Sequence, residues 1–387
     1  MPENNKHKIA FLISHPTQYH TPLFRELAKN PQIDLMVYFC SKMGLGEKYD
    51  ATYQRVLKWD VPLLEGYKSV FLKNIGGIHP QIFGELKKNK YDALIVHGYA
   101  AITYWLAFFA AWSTRTPLIL KGEADLSKNI SASKKFFKKI ILNFLFKRAN
   151  AFLYSYNLNK EFFKTYGAPE EKLFFCPSAV DNDFFREKRE ELRGQKNNLK
   201  KELGIKNLDW PVVLFVGQFA PRKRLKDLLN AAKTVARKLN FNLLLVGDGK
   251  EKENLLKFVK QNNLGNVYFA GFKNQSELPK CYSVADVFVL PSEYDPSPKA
   301  LNEALNFGLP AIVSDGVKTG PDLILKGDCG FVYPVGDVPK LAEYIEKILT
   351  DDELRLKFGK NALDIVSKWN LAEDVKGIIK AIQYVKR

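Results

Sequence analysis

The stretch Val-Phe-Val-Leu-Pro-Ser-Glu-Tyr-Asp-Pro-Ser-Pro-Lys-Ala-Leu-Asn-Glu-Ala-Leu-Asn-Phe-Gly-Leu-Pro, from Val287 to Pro310, reads as a strand, a loop and a helix in succession. The apolar run ending near Leu290 predicts the strand. Ser297-Pro298 predicts an N-cap followed by proline at the first helical position. Free backbone N–H groups after Pro298, together with the helix dipole, favour an anion there. Lys299, Asn302, Glu303 and Asn306 share one helix face by i, i+3, i+4, i+7 spacing, and Leu301, Ala304 and Leu305 cover the core side. Lys299 and Glu303 admit two readings. In one they form a surface ion pair, although lysine before glutamate is the weaker order. In the other, Asp295 and Glu303 accept hydrogen bonds from sugar hydroxyls, a task that suits carboxylate oxygens.

Outward from this stretch the same alternation recurs, and it predicts an α/β protein with parallel sheets. Strands are expected at Lys8–Ser14, Asp34–Phe39, Asp92–Val96, Pro117–Leu120 and Ala151–Tyr154. In the second half they are expected at Val212–Val216, Asn242–Val246, Val267–Ala270, Val287–Leu290 and Ala311–Val313. A helix over Lys226–Leu239 carries Leu228, Leu229, Ala232, Val235, Ala236 and Leu239 on one stripe. Arg186–Lys206 is rich in charge and poor in apolar residues, and it marks the expected domain boundary. Beyond Val332 the pattern is helical to the end. Ligands of such sheets lie beyond the carboxyl ends of the strands, so the residues after each strand carry the functional argument.

Val216 to Lys226 follows a strand and opens a helix with Arg222, Lys223, Arg224 and Lys226 near the helix start, where the dipole repels cations. A bound pyrophosphate would offset that repulsion; a solvated basic loop is the other reading. Leu245-Val246-Gly247-Asp248-Gly249 ends another strand in a tight turn but lacks the third glycine of a dinucleotide fingerprint, so it is not read as an NAD site.

In combination these segments resemble the retaining family-4 glycosyltransferases of the GT-B fold, in which two Rossmann-like domains face across a deep cleft. The Gly-x-x-x-Pro-x-Lys loop at Gly217–Lys223 resembles that family's diphosphate loop, with Lys223 in the phosphate-binding place. Gln218 stands where the family usually has arginine, and Arg222 is placed to compensate. The turns at Gly247–Gly249 and Phe269–Phe272 resemble those holding the nucleotide base, through Gly247, Gly249 and Phe272. The family's two acids, separated by seven residues, match Asp295 and Glu303. The resemblance implies that Glu303 binds the donor ribose, and that Asp295 with Ser297, Pro298, Lys299 and Ala300 holds the transferred sugar and phosphate. His97, just after the strand ending at Val96, falls at the family's catalytic-site histidine; a satisfied structural histidine is the other reading. The catalytic set is thus His97, Lys223 and Asp295.

The loop Ser14-His15-Pro16-Thr17-Gln18-Tyr19-His20 resembles a subgroup with a His-Pro-x-Gln-Tyr loop, accompanied by Trp59-Asp60-Val61-Pro62-Leu63-Leu64 and Leu120-Lys121-Gly122-Glu123. By position His15, Gln18 and Glu123 line the acceptor side, or serve loop packing. The resemblance divides the chain into an acceptor-binding domain at 1–190, a donor-binding domain at 200–367 and a helix at 368–387 that packs back on the first domain. It implies a nucleotide-sugar co-substrate and a saccharide or lipid-linked acceptor in cell-surface polysaccharide or glycolipid synthesis. Rival readings are a nucleotide-sugar epimerase or phosphorylase, and a non-catalytic basic binder.

Composition bounds these readings. The 387 residues are 46% hydrophobic and 26% charged, as in soluble globular proteins. Cys40, Cys176, Cys281 and Cys329 are scattered without a CxxC pair, so no disulfide framework or zinc site is expected. His7, His15, His20, His79 and His97 lack helical metal-ligand spacing, and Asp181-Asn182-Asp183 occupies a segment that is non-metal in family-4 chains. No metal or other cofactor is expected. The apolar run Ile9–Ser14 is too short for a signal-peptide core. The run Tyr99–Trp112 falls short of the roughly 20 residues of a spanning helix and predicts a buried one. A cytoplasmic protein is expected, at the inner face of the membrane if Lys134–Arg148, both basic and apolar, is a membrane-surface helix rather than a core helix with outward lysines. The formal charge of +17 fits that surface or phosphorylated substrates; no nucleic-acid motif accompanies it.

Overall fold

The computed structural model describes residues 6–50, 55–127 and 131–386. Its strands are β1 (His7–Ile13), β2 (Ile33–Phe39), β3 (Lys48–Asp50), β4 (Arg55–Leu57), β5 (Lys68–Phe71), β6 (Ala93–His97), β7 (Leu118–Lys121), β8 (Ala151–Tyr154), β9 (Leu173–Phe175), β10 (Val212–Val216), β11 (Asn242–Val246), β12 (Val267–Gly271), β13 (Val287–Leu290), β14 (Ala311–Ser314) and β15 (Gly330–Tyr333). The chain divides into two units. One holds Met1–Leu45, Pro62–Ser178 and Leu371–Arg387; the other holds Gly46–Val61 and Ala179–Asn370.

The first unit is built on a parallel sheet of order β5-β2-β1-β6-β7-β8-β9. Helices cover both faces, which is why its central strands are continuous apolar runs rather than alternating ones. One buried cluster includes Leu12, Leu94, Phe108 and Phe146. The other includes Phe11, Phe24, Ile95, Ile378 and Ile382. The last two belong to the terminal helix Leu371–Val385, so this helix supplies part of the first unit's core. It is tied there by Asp374, which is fully buried and accepts from the Cys176 thiol at 2.9 Å and from the Ser178 N–H at 2.8 Å. Lys121, also buried, donates to Cys176 Sγ at 3.1 Å.

The second unit has a parallel sheet of order β12-β11-β10-β13-β14-β15, plus the antiparallel pair β3–β4. The chain steps outward from β10 to β12 and then crosses to β13. The strand order therefore reverses between β10 and β13, the place where open α/β sheets bind ligands.

Several elements depart from the sequence pattern. β5, β9 and β15 lie toward sheet edges and are only partly buried, so they carry weak apolar signals. The polar stretch 186–206 lies inside the second unit, because the helix before it, Asn182–Glu191, is anchored there by Asn182. That side chain donates to the Val366 and Trp369 carbonyls at 3.0 and 3.1 Å, and accepts from Asn306 at 3.0 Å. The helix after β10 runs Leu225–Val235, shorter than its apolar stripe. The Ile102–Thr114 helix is buried on one side only; Ile102 and Phe109 are exposed. Among the described residues no helix is long and apolar enough to cross a membrane.

Candidate functional site

In the second unit the expected residues gather on the loops that leave β10, β11, β12 and β13. Lys223 ends a short 3-10 turn (Pro221–Lys223) after β10, and Asp295 lies in the loop after β13. The two form a buried ion pair. Burial pulls the Lys223 ammonium below its usual value, while Asp295 opposes that fall. Asp295 is held from both sides, since its N–H donates to the Gly316 carbonyl at 2.9 Å and its carbonyl accepts from Lys318 N–H at 2.9 Å. Arg222 is exposed; its carbonyl accepts from Glu293 N–H at 2.7 Å and its guanidinium reaches the Tyr294 carbonyl at 3.3 Å. The basic loop is thus less naked than its sequence reads, because Arg224 is paired with Asp227 at 2.6 Å and Lys223 with Asp295. Gln218 is half-buried, and its carbonyl accepts from Ala220 N–H at 3.0 Å.

The helix after β13 begins at Lys299, with Pro298 at the capping position and no side-chain cap. This corrects the expected Ser297 cap by one residue. The Ser297 hydroxyl instead accepts from the Lys299 ammonium at 3.1 Å. The surface-pair reading of Lys299 and Glu303 is also corrected, because Glu303 is 1% exposed. Its Oε2 accepts from Tyr282 at 2.7 Å, and its Oε1 is buried with no hydrogen-bond partner. Burial pushes its carboxyl up to about 7, with Tyr282 and Lys299 opposing. Tyr282, which sequence reasoning missed, also reaches the Ala300 carbonyl at 3.5 Å. An orphaned buried carboxylate oxygen is costly unless a donor arrives. A ligand hydroxyl is such a donor.

Gly247 and Gly249 have a packing reason as well. Gly247 has φ of +143°, and a Cβ there would lie 1.9 Å from the Gly217 carbonyl oxygen. The loops after β10 and β11 are pressed together, with Phe219 N–H donating to the Asp248 carbonyl at 2.8 Å. Phe272 follows β12 and packs against Trp59, with ring centroids 5.9 Å apart. Trp59 belongs to the 46–61 segment, which joins the second unit. Asp60 accepts from the Ser276 N–H at 3.2 Å and from its hydroxyl, and Asn274 donates to the Lys58 carbonyl at 3.0 Å. Nothing in the local pattern of Trp59-Asp60 announces these distant partners. In the Asp181-Asn182-Asp183 triplet, Asp181 caps its helix through Phe184 N–H at 3.1 Å, Asn182 is buried as described, and Asp183 pairs with Arg186.

In the first unit the candidates lie beyond β1, β6 and β7, which are neighbours in the sheet. His97 ends β6, and its ring centroid lies 4.9 Å from that of His20, a residue sequence reasoning did not select. His20 shares a 2.7 Å hydrogen bond with Thr17. His15 bonds Ser14 at 2.9 Å, and burial lowers its pKa. Gln18 is buried. Glu123 is half-buried, and its carbonyl accepts from Tyr156 at 2.8 Å. His15, Gln18, His97 and Glu123 therefore share one edge of this sheet, since parallel strands end on the same side.

Residues 195–364 match the family model described as Glycosyl transferases group 1. This segment belongs to the group 1 glycosyl transferases. It holds Lys223, Asp295, Glu303 and the other donor-side candidates. The chain is 28% identical over 374 residues, 91% of this chain and 89% of the other, to the UDP-Gal:alpha-D-GlcNAc-diphosphoundecaprenol alpha-1,3-galactosyltransferase of Escherichia coli. It is 29% identical over 203 residues to the N-acetyl-alpha-D-glucosaminyl L-malate synthase of Bacillus anthracis, spanning about half (52%) of that relative's length. Alpha-D-kanosaminyltransferase of Streptomyces kanamyceticus is likewise matched over 52% of its length. Among solved structures, Anabaena Alr3699/HepE in complex with UDP aligns at a TM-score of 0.73 with 17% identity, covering 97% of this chain and 99% of that one. WaaG, a glycosyltransferase involved in lipopolysaccharide biosynthesis, aligns at 0.65 with 16% identity over 95% and 97%. These likenesses show the fold, two parallel-sheet α/β domains of the GT-B class, and the matched segment supplies the second sheet.

Proposed function

We propose that this protein is a glycosyltransferase that moves a sugar, with retention of configuration and without a metal ion, from a nucleotide-sugar donor to a saccharide or lipid-linked acceptor in cell-surface polysaccharide or glycolipid synthesis. The observation that carries the reading is the gathering of buried Lys223, Asp295 and Glu303 on the connections after β10 and β13, inside the group 1 segment. Lys223 supplies a fixed, water-excluded positive charge against the leaving diphosphate, where preorganised charge is most effective. Arg222 adds a second cation from the same loop. Glu303 Oε1 receives a ribose hydroxyl, and Asp295 with Ser297 to Ala300 holds the sugar and phosphate. His97 supports the reacting sugar from the acceptor side, with His15, Gln18 and Glu123 around the acceptor. The leaving diphosphate takes the acceptor proton, so no protein nucleophile is required.

The test is the thermal shift of the purified protein with UDP, GDP, ADP, CMP and their sugar conjugates, with and without EDTA. A ligand of the folded state raises the melting temperature. A rise for one nucleotide family, unchanged by EDTA, is expected; no rise with any of them refutes the reading. Product analysis without acceptor then separates a transferase from an epimerase.

The Glu303 carboxyl gives a signed pH dependence. Its folded pKa of about 7 lies above the ordinary 4.5, so the fold holds it neutral. The free protein is most stable below the ordinary value and loses that advantage as pH rises toward 7. A ribose hydroxyl donating to the ionised carboxylate prefers the opposite state. Nucleotide affinity is therefore expected to rise about tenfold between pH ~6 and ~8 in titration calorimetry, and Glu303→Gln flattens that rise. Trp59→Ala removes the ring packed on Phe272 and is expected to weaken nucleotide binding by up to about tenfold, the worth of one aromatic pair. An unchanged dissociation constant would detach the 46–61 segment from the base site.

A further inference from the structure

We propose that the first unit carries a docking face for an anionic lipid surface, built from the Ala132–Arg148 helix, the end of the Ile102–Thr114 helix and a basic hollow beside them. The first helix has two apolar sides. Leu142, Leu145 and Phe146 are buried in the core. Phe136, Phe137, Ile140, Ile141 and Phe144 share a second side by i, i+1, i+4, i+5, i+8 spacing, and there they are exposed, Phe136 at 62% and Phe137 at 63%. The ridge continues into the neighbouring helix: Trp112 packs edge-on to Phe144 at 5.9 Å, and Phe109, itself exposed, packs on Trp112 at 5.2 Å. A contiguous apolar ridge of this kind marks an interaction site rather than ordinary surface.

Charge chooses the occupant. The Ala132–Arg148 helix contains Lys134, Lys135, Lys138, Lys139, Lys147 and Arg148 and no acidic residue. Just past Trp112, a hollow of about 550 Å³ is lined by Lys87, Lys90 and Arg115 together with apolar Phe83 and Leu86, the three cations being suited to phosphate. A second copy of this chain would bring like charges together, whereas an anionic bilayer takes the apolar side chains into its interface and the cations at its headgroups. Lys138 braces the helix from its inner side, its ammonium lying 4.8 Å from the Phe162 ring centroid. All of these residues lie in the first unit and none is a candidate for donor binding, so the proposal stands or falls apart from the transferase reading.

The test is co-sedimentation of the full chain with vesicles of phosphatidylcholine alone or mixed with phosphatidylglycerol, at low and high salt. Binding to the anionic vesicles that weakens with salt is expected. It should fall by about tenfold or more in Phe136→Ser/Ile140→Ser and in Lys134→Glu/Lys135→Glu. The substituted side chains are exposed, and an unaltered melting temperature of each variant without ligand shows that the fold is intact. Absence of vesicle binding, or binding that ignores both pairs of substitutions, overturns the proposal. A concentration-dependent dimer lost in Phe136→Ser/Ile140→Ser, without vesicle binding, overturns it in favour of a second copy.

Discussion

Replacing Lys223 with alanine is expected to lower turnover by about 100- to 1,000-fold, the usual cost of removing one preorganised charge from a transition state. Lys226→Ala should leave turnover within about twofold, because an exposed charge is screened by water. The comparison is informative because the two lysines lie three residues apart, yet Lys223 is buried against Asp295 and Lys226 is exposed. Release of nucleoside diphosphate from whichever sugar conjugate raises the melting temperature is the measurement. Equal losses in the two variants would remove Lys223 from the diphosphate site. Lys223→Ala also leaves Asp295 buried without its partner, which destabilises. The melting temperature of Lys223→Ala with and without Asp295→Asn measures the cost of the stranded carboxylate, separately from the loss in turnover.

The second large effect concerns stability. Asp374→Ala is expected to destabilise the first unit by about 3–5 kcal/mol, the cost of breaking a buried charged network by removing one member. The loss leaves the Cys176 thiol and the Ser178 N–H without this acceptor and removes a negative charge that acts on Lys121. Burial alone would pull the Lys121 ammonium down, and Cys176 and Asp374 more than offset it, so its pKa is raised. Without Asp374 the balance reverses, and Lys121 must either lose its proton or draw in water. Urea unfolding followed by tryptophan fluorescence measures the change. A shift within about 0.5 kcal/mol, typical of a surface substitution, would mean that the terminal helix is held by apolar packing alone.

These two residues differ in how far sequence reading could reach them. Lys223 is a candidate from sequence because its pattern is local: a strand, a glycine, a proline and a cation follow one another at fixed spacing. Glu303 and Asp295 are candidates for the same reason, being carried by one strand–loop–helix unit. Asp374 announces nothing in sequence, since its partners are 196 and 198 residues away. Tyr282 and Trp59 carry no local signal for the same reason, as their partners Glu303 and Phe272 lie on other connections of the sheet. His20 was passed over because only the adjacency of β1 and β6 brings its ring to His97. The cap falls at Pro298 rather than Ser297; proline at the capping position and proline at the first helical position look alike in sequence.

The class of fold, most of the central strands and the loops that carry the donor-side candidates are written in local sequence. Those signals are periodic or local, and apolar runs bounded by turn residues do not depend on distant partners. Distant contacts assign the 46–61 segment to the second unit, make Lys223 and Asp295 one buried pair, and leave Glu303 Oε1 unpaired. They also cover one apolar side of the Ala132–Arg148 helix and not the other. Burial and pairing are set by what the rest of the chain places alongside a residue. A side chain's charge is written in the sequence, but whether water, another side chain or a ligand answers that charge is a property of the folded molecule.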